Sequence, residues 1–563
     1  MALTVESNFK SVKDHIQEVY KDKYVLPEFQ RTFVWGIEKV QSLWESLYNG
    51  FPIGQLMFWG EVDIDFPVRS LGISQEEVKE PGKADKLIVD GQQRITALWV
   101  VLKGEVPLYF DLERTVFSPD RQNENTIRLD ILKGRTYDEA LNANLFFVNA
   151  SPNQKDRFSA QLTRLNSMLT NTTVPYQLIA NAQYPTVVSI FNRLNQQGVR
   201  LTDGQLALAT ISNHWKGVFR KTFDLMKTVN TEFNYVKNEN PDLIIQAWTC
   251  AHTGQHLIKN LAPDSQKSKY YKMASQAQYE ASWAKLEPAF RRAISLMKEQ
   301  FDLSNYQFIP GFYPLVVVVN YFANRPEVPE SDKRDLCKWF IQSMITGRYA
   351  TRSTTKFRDD IKATREGKAL SELFFHAGAH DPTKFVIQKE AILGAGFKSS
   401  FATLLYILMR KSLATDLLDT STAVGTILPE NQSWQFHHIF PDSVLDGKRQ
   451  EVRNLIEDAE NEGTEEDVER LQKQLKALDE SITSIPNLAF LMPVSNLTLS
   501  ASRPLEYLKT ILDRPGGRQI LESQLIPTDP QLWRVNSFEE FREARAQLIL
   551  DKTNEYLRKN ELI

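Results

Sequence analysis

The chain has 563 residues and a formal net charge of −3, and 42% of its residues are hydrophobic and 24% charged. This length exceeds what one hydrophobic core normally serves, so about three domains are expected. The composition is that of a globular protein. The small net charge excludes a basic protein that coats nucleic acid through its overall field, so nucleic-acid contacts must come from local patches.

The cysteines, the N-terminal residues and the apolar runs indicate the expected cellular location of the protein. Cys250 and Cys337 form no C-x-x-C pair, which argues against a disulfide framework and a zinc cluster. Residues 1–7 lack the basic and apolar regions of a signal peptide. The longest apolar run, Phe312–Phe322, is too short to cross a bilayer and predicts a buried helix or strand. We therefore expect a cytoplasmic protein without a membrane partner.

The first clear elements lie in the N-terminal region. An amphipathic helix is predicted by apolar residues at three- and four-residue spacing, namely Val40, Leu43, Trp44 and Leu47. An apolar strand follows at Gln55–Trp59. Further on, Leu87–Val89 predicts a buried strand, and Asp90-Gly91 is a turn signal. A second helix is predicted after this turn by Ile95, Leu98, Trp99 and Leu102.

The start of this second helix is a candidate anion site. Free backbone amides and the positive end of the helix dipole lie near Gln92–Arg94. Arg94 adds a guanidinium, and Gly91 allows a ligand to approach the backbone closely. The alternative is a plain capped helix start, with Asp90 holding the turn and Arg94 in a surface ion pair.

Residues 216–425 predict a mostly helical region, because aromatic and aliphatic residues recur there at helical spacing. Within it, Gly347–Arg358 is basic and rich in hydroxyl groups. Four cations in this stretch are candidates for contacts with DNA phosphates, namely Arg348, Arg352, Lys356 and Arg358. A solvated loop that leads into a helix is the alternative.

Two adjacent histidines and two later asparagines form the second candidate site. Cleavage of a phosphodiester needs a base that deprotonates water and a divalent cation that stabilises the leaving oxygen. His437 and His438 can supply a base and a metal ligand, and neighbours on a strand point to opposite faces. Asn487 and Asn496 follow after a segment at about 449–482 whose apolar spacing predicts a helical hairpin.

This C-terminal pattern resembles the HNH (ββα-metal) nuclease motif of GmrSD-like type IV restriction enzymes. The resemblance implies that His438 is the general base, and that His437 and Asn496 bind Mg²⁺ or Mn²⁺. It also implies that Asn487 braces the loop between the two strands. The segment at about 449–482 is a long insertion relative to the motif.

The Asp90-Gly-Gln-Gln-Arg94 motif resembles the N-terminal domain of the same family, whose fold is similar to ParB and sulfiredoxin. Flanking blocks agree with it, namely Val25–Trp35, Gly50–Gly54 and Phe191–Leu201. The resemblance implies binding and hydrolysis of GTP or ATP, without a P-loop. The implied nucleotide-binding residues are Gln30, Arg31, Asp90, Gly91, Gln92, Gln93 and Arg94, with Arg193 and Asn195 as further candidates.

The combined prediction is a multidomain α+β protein. It has a ParB/sulfiredoxin-like sensor domain at 1–215, a helical domain at 216–425 and an HNH domain at 426–563. The predicted function is NTP-regulated, metal-dependent cleavage of DNA, including modified phage DNA, in a restriction system. An RNase that acts as an abortive-infection toxin and a non-cleaving NTP-gated DNA clamp remain alternatives. The sequence leaves the oligomeric state open, a homo-oligomer included.

Overall fold

The computed structural model describes residues 3–60, 64, 66–74, 84–132, 151–194, 201–233, 241–262, 274–303, 311–349, 353–366, 369–376, 387–426, 434–462 and 465–562. The described residues form two compact units. The first lies within Met1–Asp224, Asn238–Ile245 and Leu261–Tyr279, and the second within Leu225–Lys237, Gln246–Asn260 and Glu280–Ile563. The fold is mixed α+β.

The first unit is built on a mixed six-stranded sheet. Its strands are β1 (Thr4–Ser11), β2 (Tyr24–Pro27), β3 (Leu56–Gly60), β4 (Val68–Arg69), β5 (Lys86–Asp90) and β9 (Thr173–Ala180). Their spatial order is β1-β9-β3-β5-β2-β4. Strand β5 runs parallel to β2 and antiparallel to β3. The end of β5, which carries the candidate anion site, therefore lies in the middle of the sheet.

Helices and a small second sheet complete this unit. The helices are α1 (Val12–Tyr20), α2 (Ile37–Tyr48), α3 (Gln92–Lys103), α4 (Pro152–Asn171), α5 (Tyr184–Leu194) and α6 (Asp203–Ile211). Strands β6 (Tyr109–Asp111), β7 (Val116–Ser118) and β8 (Thr126–Arg128) form the small sheet in the order β7-β6-β8. Trp44, Phe58, Val100 and Leu165 are fully buried between these layers.

The early sequence predictions are confirmed. The helix predicted from Val40 and its apolar neighbours is α2, and the strand predicted at Gln55–Trp59 is β3. The predicted strand, turn and helix around Asp90 are β5, Gly91 and α3. These elements are encoded by local periodicity and turn chemistry, which explains why the sequence alone identifies them.

From residue 218 to residue 411 the described chain is helical. The helices are α7 (Val218–Phe233), α8 (Asp242–Thr253), α9 (Gln276–Phe301), α10 (Tyr313–Ala323), α11 (Glu330–Ile345), α12 (Ser353–Ala363), α13 (Ala369–His376), α14 (Lys389–Leu393) and α15 (Ser400–Lys411). The longest apolar run of the sequence forms α10, which is buried. No helix among the described residues is both long and apolar enough to span a membrane.

The C-terminal part of the second unit contains a two-stranded sheet and six α-helices among its described residues. The strands are β10 (Gln435–His438) and β11 (Leu488–Leu491). The helices are α16 (Asp442–Glu462), α17 (Glu465–Ile482), α18 (Pro493–Leu499), α19 (Pro504–Leu512), α20 (Gly517–Ser523) and α21 (Phe538–Lys559). Described residues on both sides of the predicted domain boundary at 425/426 belong to the same compact unit.

Helices α16 and α17 form the hairpin predicted at about 449–482, and they begin earlier than the predicted segment. The predicted break at Gly463-Thr464 lies outside the described residues. Because the hairpin separates β10 from β11, the chain runs strand, hairpin, strand and then short helix α18.

Candidate functional site

Glycine is required at position 91, where β5 passes into α3. The φ angle of Gly91 is 85°, in the left-handed region that side chains disfavour. A Cβ atom there would lie 2.3 Å from Leu56 Cδ2 and 3.2 Å from an Arg94 guanidinium nitrogen. The absence of a side chain therefore lets α3 begin immediately beside β3, with its first amides at the end of the sheet.

Two of the predicted glutamines hold the backbone around this turn. The Gln30 amide donates to the carbonyl oxygens of Ile88 and Val89, at 2.9 and 2.7 Å. The Gln93 side chain accepts from the Val34 amide at 2.9 Å and donates to the Thr32 carbonyl at 2.9 Å. Both side chains are buried, so they fix the 30–34 loop against β5 and α3.

The two arginines of the site have different partners. The Arg94 guanidinium donates to the Ile53 carbonyl at 2.8 Å and pairs with Asp90 at 3.1 Å. The Arg31 guanidinium has no hydrogen bond or ion pair with the described residues, and partial burial lowers its pKa. Gln92 is 4% exposed, and its Nε2 also has no partner among them. Among the described residues, Arg31 and Gln92 are therefore two side-chain donors available to a ligand.

These side chains meet in a cavity of about 240 Å³. The cavity brings together every residue of the predicted nucleotide set, namely Gln30, Arg31, Asp90, Gly91, Gln92, Gln93 and Arg94. Trp35, Phe191 and Leu194 add apolar walls that the sequence reasoning did not single out as site residues. Arg193 is exposed and outside the lining, and Asn195 lies outside the described residues.

The candidate nuclease site lies on the two-stranded sheet of the second unit. Strands β10 and β11 are antiparallel, and His437 is opposite Ala489. The buried Asn487 accepts from the Phe440 amide at 2.8 Å and donates to the carbonyls of Phe440 and Ile482 at 3.0 and 2.8 Å. This side chain therefore ties the end of the hairpin to the chain that follows β10.

His437 faces the short helix α18. Its Nδ1 lies 2.9 Å from Asn496 Oδ1, and Asn496 Nδ2 donates to Gln435 Oε1 at 2.7 Å. Burial lowers the pKa of His437 to about 4, so the ring is neutral at pH 7. An imidazole nitrogen and an amide oxygen can each bind a divalent metal ion, and the structure brings these two candidate ligands together.

The described residues contain no group of three or more His, Cys, Asp or Glu side chains that could hold a metal. Among the described residues, His437 and Asn496 are the two candidate ligands that would hold a metal ion here. The remaining positions would be free for water and for phosphate oxygens of a substrate, as a catalytic metal site requires.

His438 lies next to His437 on β10 and is partly exposed, while His437 is 2% exposed. Burial lowers the pKa of His438, and the nearby Asp442 carboxylate opposes that shift. The imidazole is therefore neutral at pH 7 and can take up a proton. The adjacent histidines have different environments, as the alternation of side chains along a strand predicts.

Two contacts of this site escaped the sequence reasoning. The Met492 amide, at the start of α18, donates to the buried Asp416 carboxylate at 2.7 Å. The Tyr507 hydroxyl lies 3.4 Å from His437 Nε2. Met492 and Asp416 are 76 positions apart along the chain, and Tyr507 and His437 are 70 positions apart. No local sequence motif therefore contains either pair.

The predicted DNA contacts need a correction at Arg348. Its side chain is 6% exposed and forms a paired hydrogen bond with the buried Asp360, at 2.6 and 2.7 Å. The Arg348 side chain is therefore buried and paired with Asp360, so it is not available to DNA phosphates. Lys356 and Arg358 remain on or near the surface, with Arg358 beside Asp359 at 2.9 Å. Arg352 lies outside the described residues.

Comparison with known proteins identifies the first unit. Residues 12–212 match the family model described as GmrSD restriction endonuclease, N-terminal domain. This part of the chain is therefore similar to the N-terminal domain of GmrSD restriction endonucleases, which confirms the resemblance seen at Asp90–Arg94. The chain is also 20% identical to the uncharacterized protein MJ0686 of Methanocaldococcus jannaschii, over 98% of this chain and 95% of that relative.

Proposed function

We propose that the protein is a divalent-metal-dependent HNH endonuclease that nicks or cuts DNA in an anti-phage restriction system and is regulated by an NTP. The observation that carries the proposal is the approach of His437 and Asn496 to 2.9 Å, beside a second, partly exposed histidine. The relation to restriction endonucleases in the N-terminal domain supports the choice of DNA as the substrate.

In this proposal His438 takes a proton from the water that attacks phosphorus, because its imidazole is neutral and reachable from solvent. His437 and Asn496 would hold the metal ion. When bound, such an ion stabilises the developing charge on the leaving 3′-oxygen. Asn487 keeps β10 in register with the chain before β11 and so fixes the distance between the two histidines and Asn496.

The N-terminal cavity is proposed to bind the triphosphate of GTP or ATP. Arg31 supplies a positive charge that no described residue pairs with, Gln92 supplies a buried amide donor, and the start of α3 supplies backbone amides. Trp35 and Phe191 provide apolar surface beside these donors. Hydrolysis of the nucleotide and sensing of modified DNA are part of the same proposal, and the resemblance of the N-terminal domain to the GmrSD family supports both.

The test is cleavage of plasmid and phage DNA, unmodified and modified, with Mg²⁺ or Mn²⁺ and with or without GTP or ATP. His438→Ala should lower the cleavage rate by about 100-fold or more, since a general base contributes that much. The variant should keep its affinity for DNA and metal. His252→Ala, at another half-buried histidine of the same unit, is the matched control and should cleave normally.

Undiminished cleavage by His438→Ala would falsify the assignment of the base. Cleavage of RNA but not of DNA would instead support the RNase alternative. Nucleotide-dependent DNA binding without cleavage under any divalent ion would support the DNA clamp.

A further inference from the structure

Strand β1 lies at one end of the six-stranded sheet and pairs with β9 through eight consecutive residues without a bulge. No described strand pairs with its other edge. The residues from Thr4 to Phe9 are exposed, and Phe9 itself is 71% exposed. The strand at the opposite end of the sheet, β4, has only two residues. Proteins protect sheet edges with short strands, bulges or proline, and β1 has none of these three features, so its backbone can pair with another strand.

The two charged side chains of β1 lie on one face of the strand. Glu6 and Lys10 are four residues apart, so they point to the same side, as does Asn8 between them. Lys10 Nζ lies 3.5 Å from Glu18 on helix α1, and both of these side chains are partly exposed. An ammonium group has three donors, so Lys10 can contact a second carboxylate while it keeps Glu18.

Antiparallel geometry limits how β1 can pair with its own copy. Opposite residues either both direct their backbone groups across the gap or both direct them away. Two copies related by a twofold axis can therefore pair only in registers in which one residue faces its own copy. With Asn8 in that position, Glu6 is opposite Lys10 of the second copy, and Lys10 is opposite Glu6 of that copy. An axis at Ser7 would place both charges opposite uncharged side chains, and an axis at Glu6 would place like charges opposite one another.

The register with the axis at Asn8 also brings together the apolar side chains of the opposite face. Phe9 is opposite Ser7 of the second copy, and its diagonal neighbours there are Val5 and Phe9. Diagonal neighbours lie about 7–8 Å apart, within reach of aromatic side chains. Val5 is 49% exposed in the single chain, so pairing would remove apolar surface of Val5 and Phe9 from water. The charged and apolar groups of β1 thus complement their own copies in one register.

We propose that β1 is a self-association surface, at which two copies of the chain pair antiparallel about Asn8 and join their six-stranded sheets. The partner is a second copy because Glu6 and Lys10 complement the same two residues of an identical strand. The residues proposed to bind nucleotide, metal and DNA all lie outside β1, so the inference goes beyond the proposed function and does not depend on it.

The first experiment measures the dimer dissociation constant of the full chain by analytical ultracentrifugation. We expect dimers whose dissociation constant rises by about tenfold or more in Glu6→Lys, because two attractive pairs become repulsive. The double variant Glu6→Lys/Lys10→Glu exchanges the two charges and should return the constant towards the wild-type value. Glu124→Lys makes the same change of charge at an exposed residue of the first unit outside β1, and this matched control should dimerise as the wild type does. Thermal unfolding checks that each variant is folded.

The second experiment tests the register by disulfide formation. In Asn8→Cys the two introduced thiols would face one another across the axis, with Cα atoms about 4.5–5.5 Å apart, a distance that a disulfide bridges. In Thr4→Cys the thiols would be separated along the strands by more than about 20 Å. Cys250 and Cys337 are buried and do not compete. Mild oxidation should therefore give covalent dimers of Asn8→Cys but not of Thr4→Cys on a non-reducing gel.

A wild-type chain that stays monomeric at every concentration measured would overturn the proposal. Dimers that keep their affinity in Glu6→Lys and do not cross-link in Asn8→Cys would also overturn it, because they would use another surface. Equal cross-linking of Thr4→Cys and Asn8→Cys would show random collision and exclude this register. A double variant as weak as Glu6→Lys would mean that the two charges do not face one another, which again contradicts the register. No readout depends on nuclease activity, so failure of the proposed function would leave this test unaffected.

Discussion

Arg31 and Arg94 lie in the same cavity but differ in what holds them. Arg94 is occupied by the Ile53 carbonyl and the Asp90 carboxylate, while Arg31 has no partner among the described residues. A guanidinium without a counter-ion in a half-buried position favours an incoming anion, because binding restores the solvation lost on burial. A guanidinium that already bridges two elements contributes mainly to their geometry.

This difference predicts that alanine variants of the two arginines affect different properties, nucleotide binding for Arg31 and stability for Arg94. Arg31→Ala should weaken nucleotide binding by about tenfold or more, with an unfolding free energy within about 0.5 kcal/mol of wild type. Arg94→Ala should lower the unfolding free energy by about 1–3 kcal/mol, because two hydrogen-bonded groups lose their partner. Titration with a fluorescent GTP analogue and thermal unfolding measure the two effects. The interpretation is wrong if Arg31→Ala binds nucleotide as tightly as wild type.

At the scale of elements, the α16–α17 hairpin divides into a base and a distal part. At the base, Leu445 and Ile482 are part of the hydrophobic core around β10 and β11. Arg449 joins the two helices there, since it contacts Asp442 and Asp446 on α16 and Asp479 on α17. In the distal part, the buried residues Ala459 and Leu471 lie on the two hairpin helices themselves.

We therefore predict that the distal hairpin is dispensable for the fold. Replacement of residues 455–474 by a short Gly/Ser turn should keep the melting temperature within a few degrees, because the core contacts of the base remain. Ile482→Ala is the contrasting variant, and it should cost about 2–5 kcal/mol because the side chain is 1% exposed. Thermal unfolding and plasmid cleavage measure both. A shortened protein that folds but no longer cleaves would assign the distal hairpin to substrate contact or assembly.

At the scale of the whole molecule, the two units differ in their buried titratable groups. In the second unit, burial lowers the pKa of His437 to about 4 and also lowers those of His252, His256 and His438. Between pH 6.5 and about 4 the unfolded chain binds protons that the folded unit does not bind. The unfolding free energy therefore falls as the pH falls, by roughly 3 kcal/mol for His437 alone.

In the first unit, two buried groups change the unfolding free energy with pH in opposite directions. Burial lowers the pKa of His15 to about 4, which again costs stability in acid. Burial raises the pKa of Glu28 to about 7, so the folded unit holds a proton that the unfolded chain loses above pH 4.5. The contribution of Glu28 is therefore complete below pH 4.5 and lost as the pH rises to 7. The two effects have opposite signs in the same range.

We predict that acid destabilises the second unit first. Hydrogen exchange followed by mass spectrometry at pH 7 and pH 5, corrected for intrinsic exchange rates, should show lower protection at pH 5 in peptides of the second unit only. Glu28→Gln is the informative variant, because it removes the opposing group and should make the first unit acid-sensitive as well. An equal loss of protection in both units of the wild-type protein would contradict this prediction.

Local features of this chain were readable from the sequence by itself. Strand β5, Gly91 and helix α3 follow from a β-prone run, a turn dipeptide and helical periodicity. The hairpin follows from its apolar spacing. The GmrSD-like character of the N-terminal domain is likewise present in its short motifs, and the family match confirms it. Each of these signals depends on residues that are close in the sequence.

Only the tertiary structure decided which side chains can contact a ligand and which are already held by other residues of the protein. Arg348 was a reasonable DNA contact by composition, yet Asp360 holds it in the interior. His437 and Asn496 meet across 59 residues, and Tyr507 reaches the same ring from a separate helix. The physical reason is that burial and partner choice depend on contacts between distant segments, whereas motifs and periodicity report only on near neighbours.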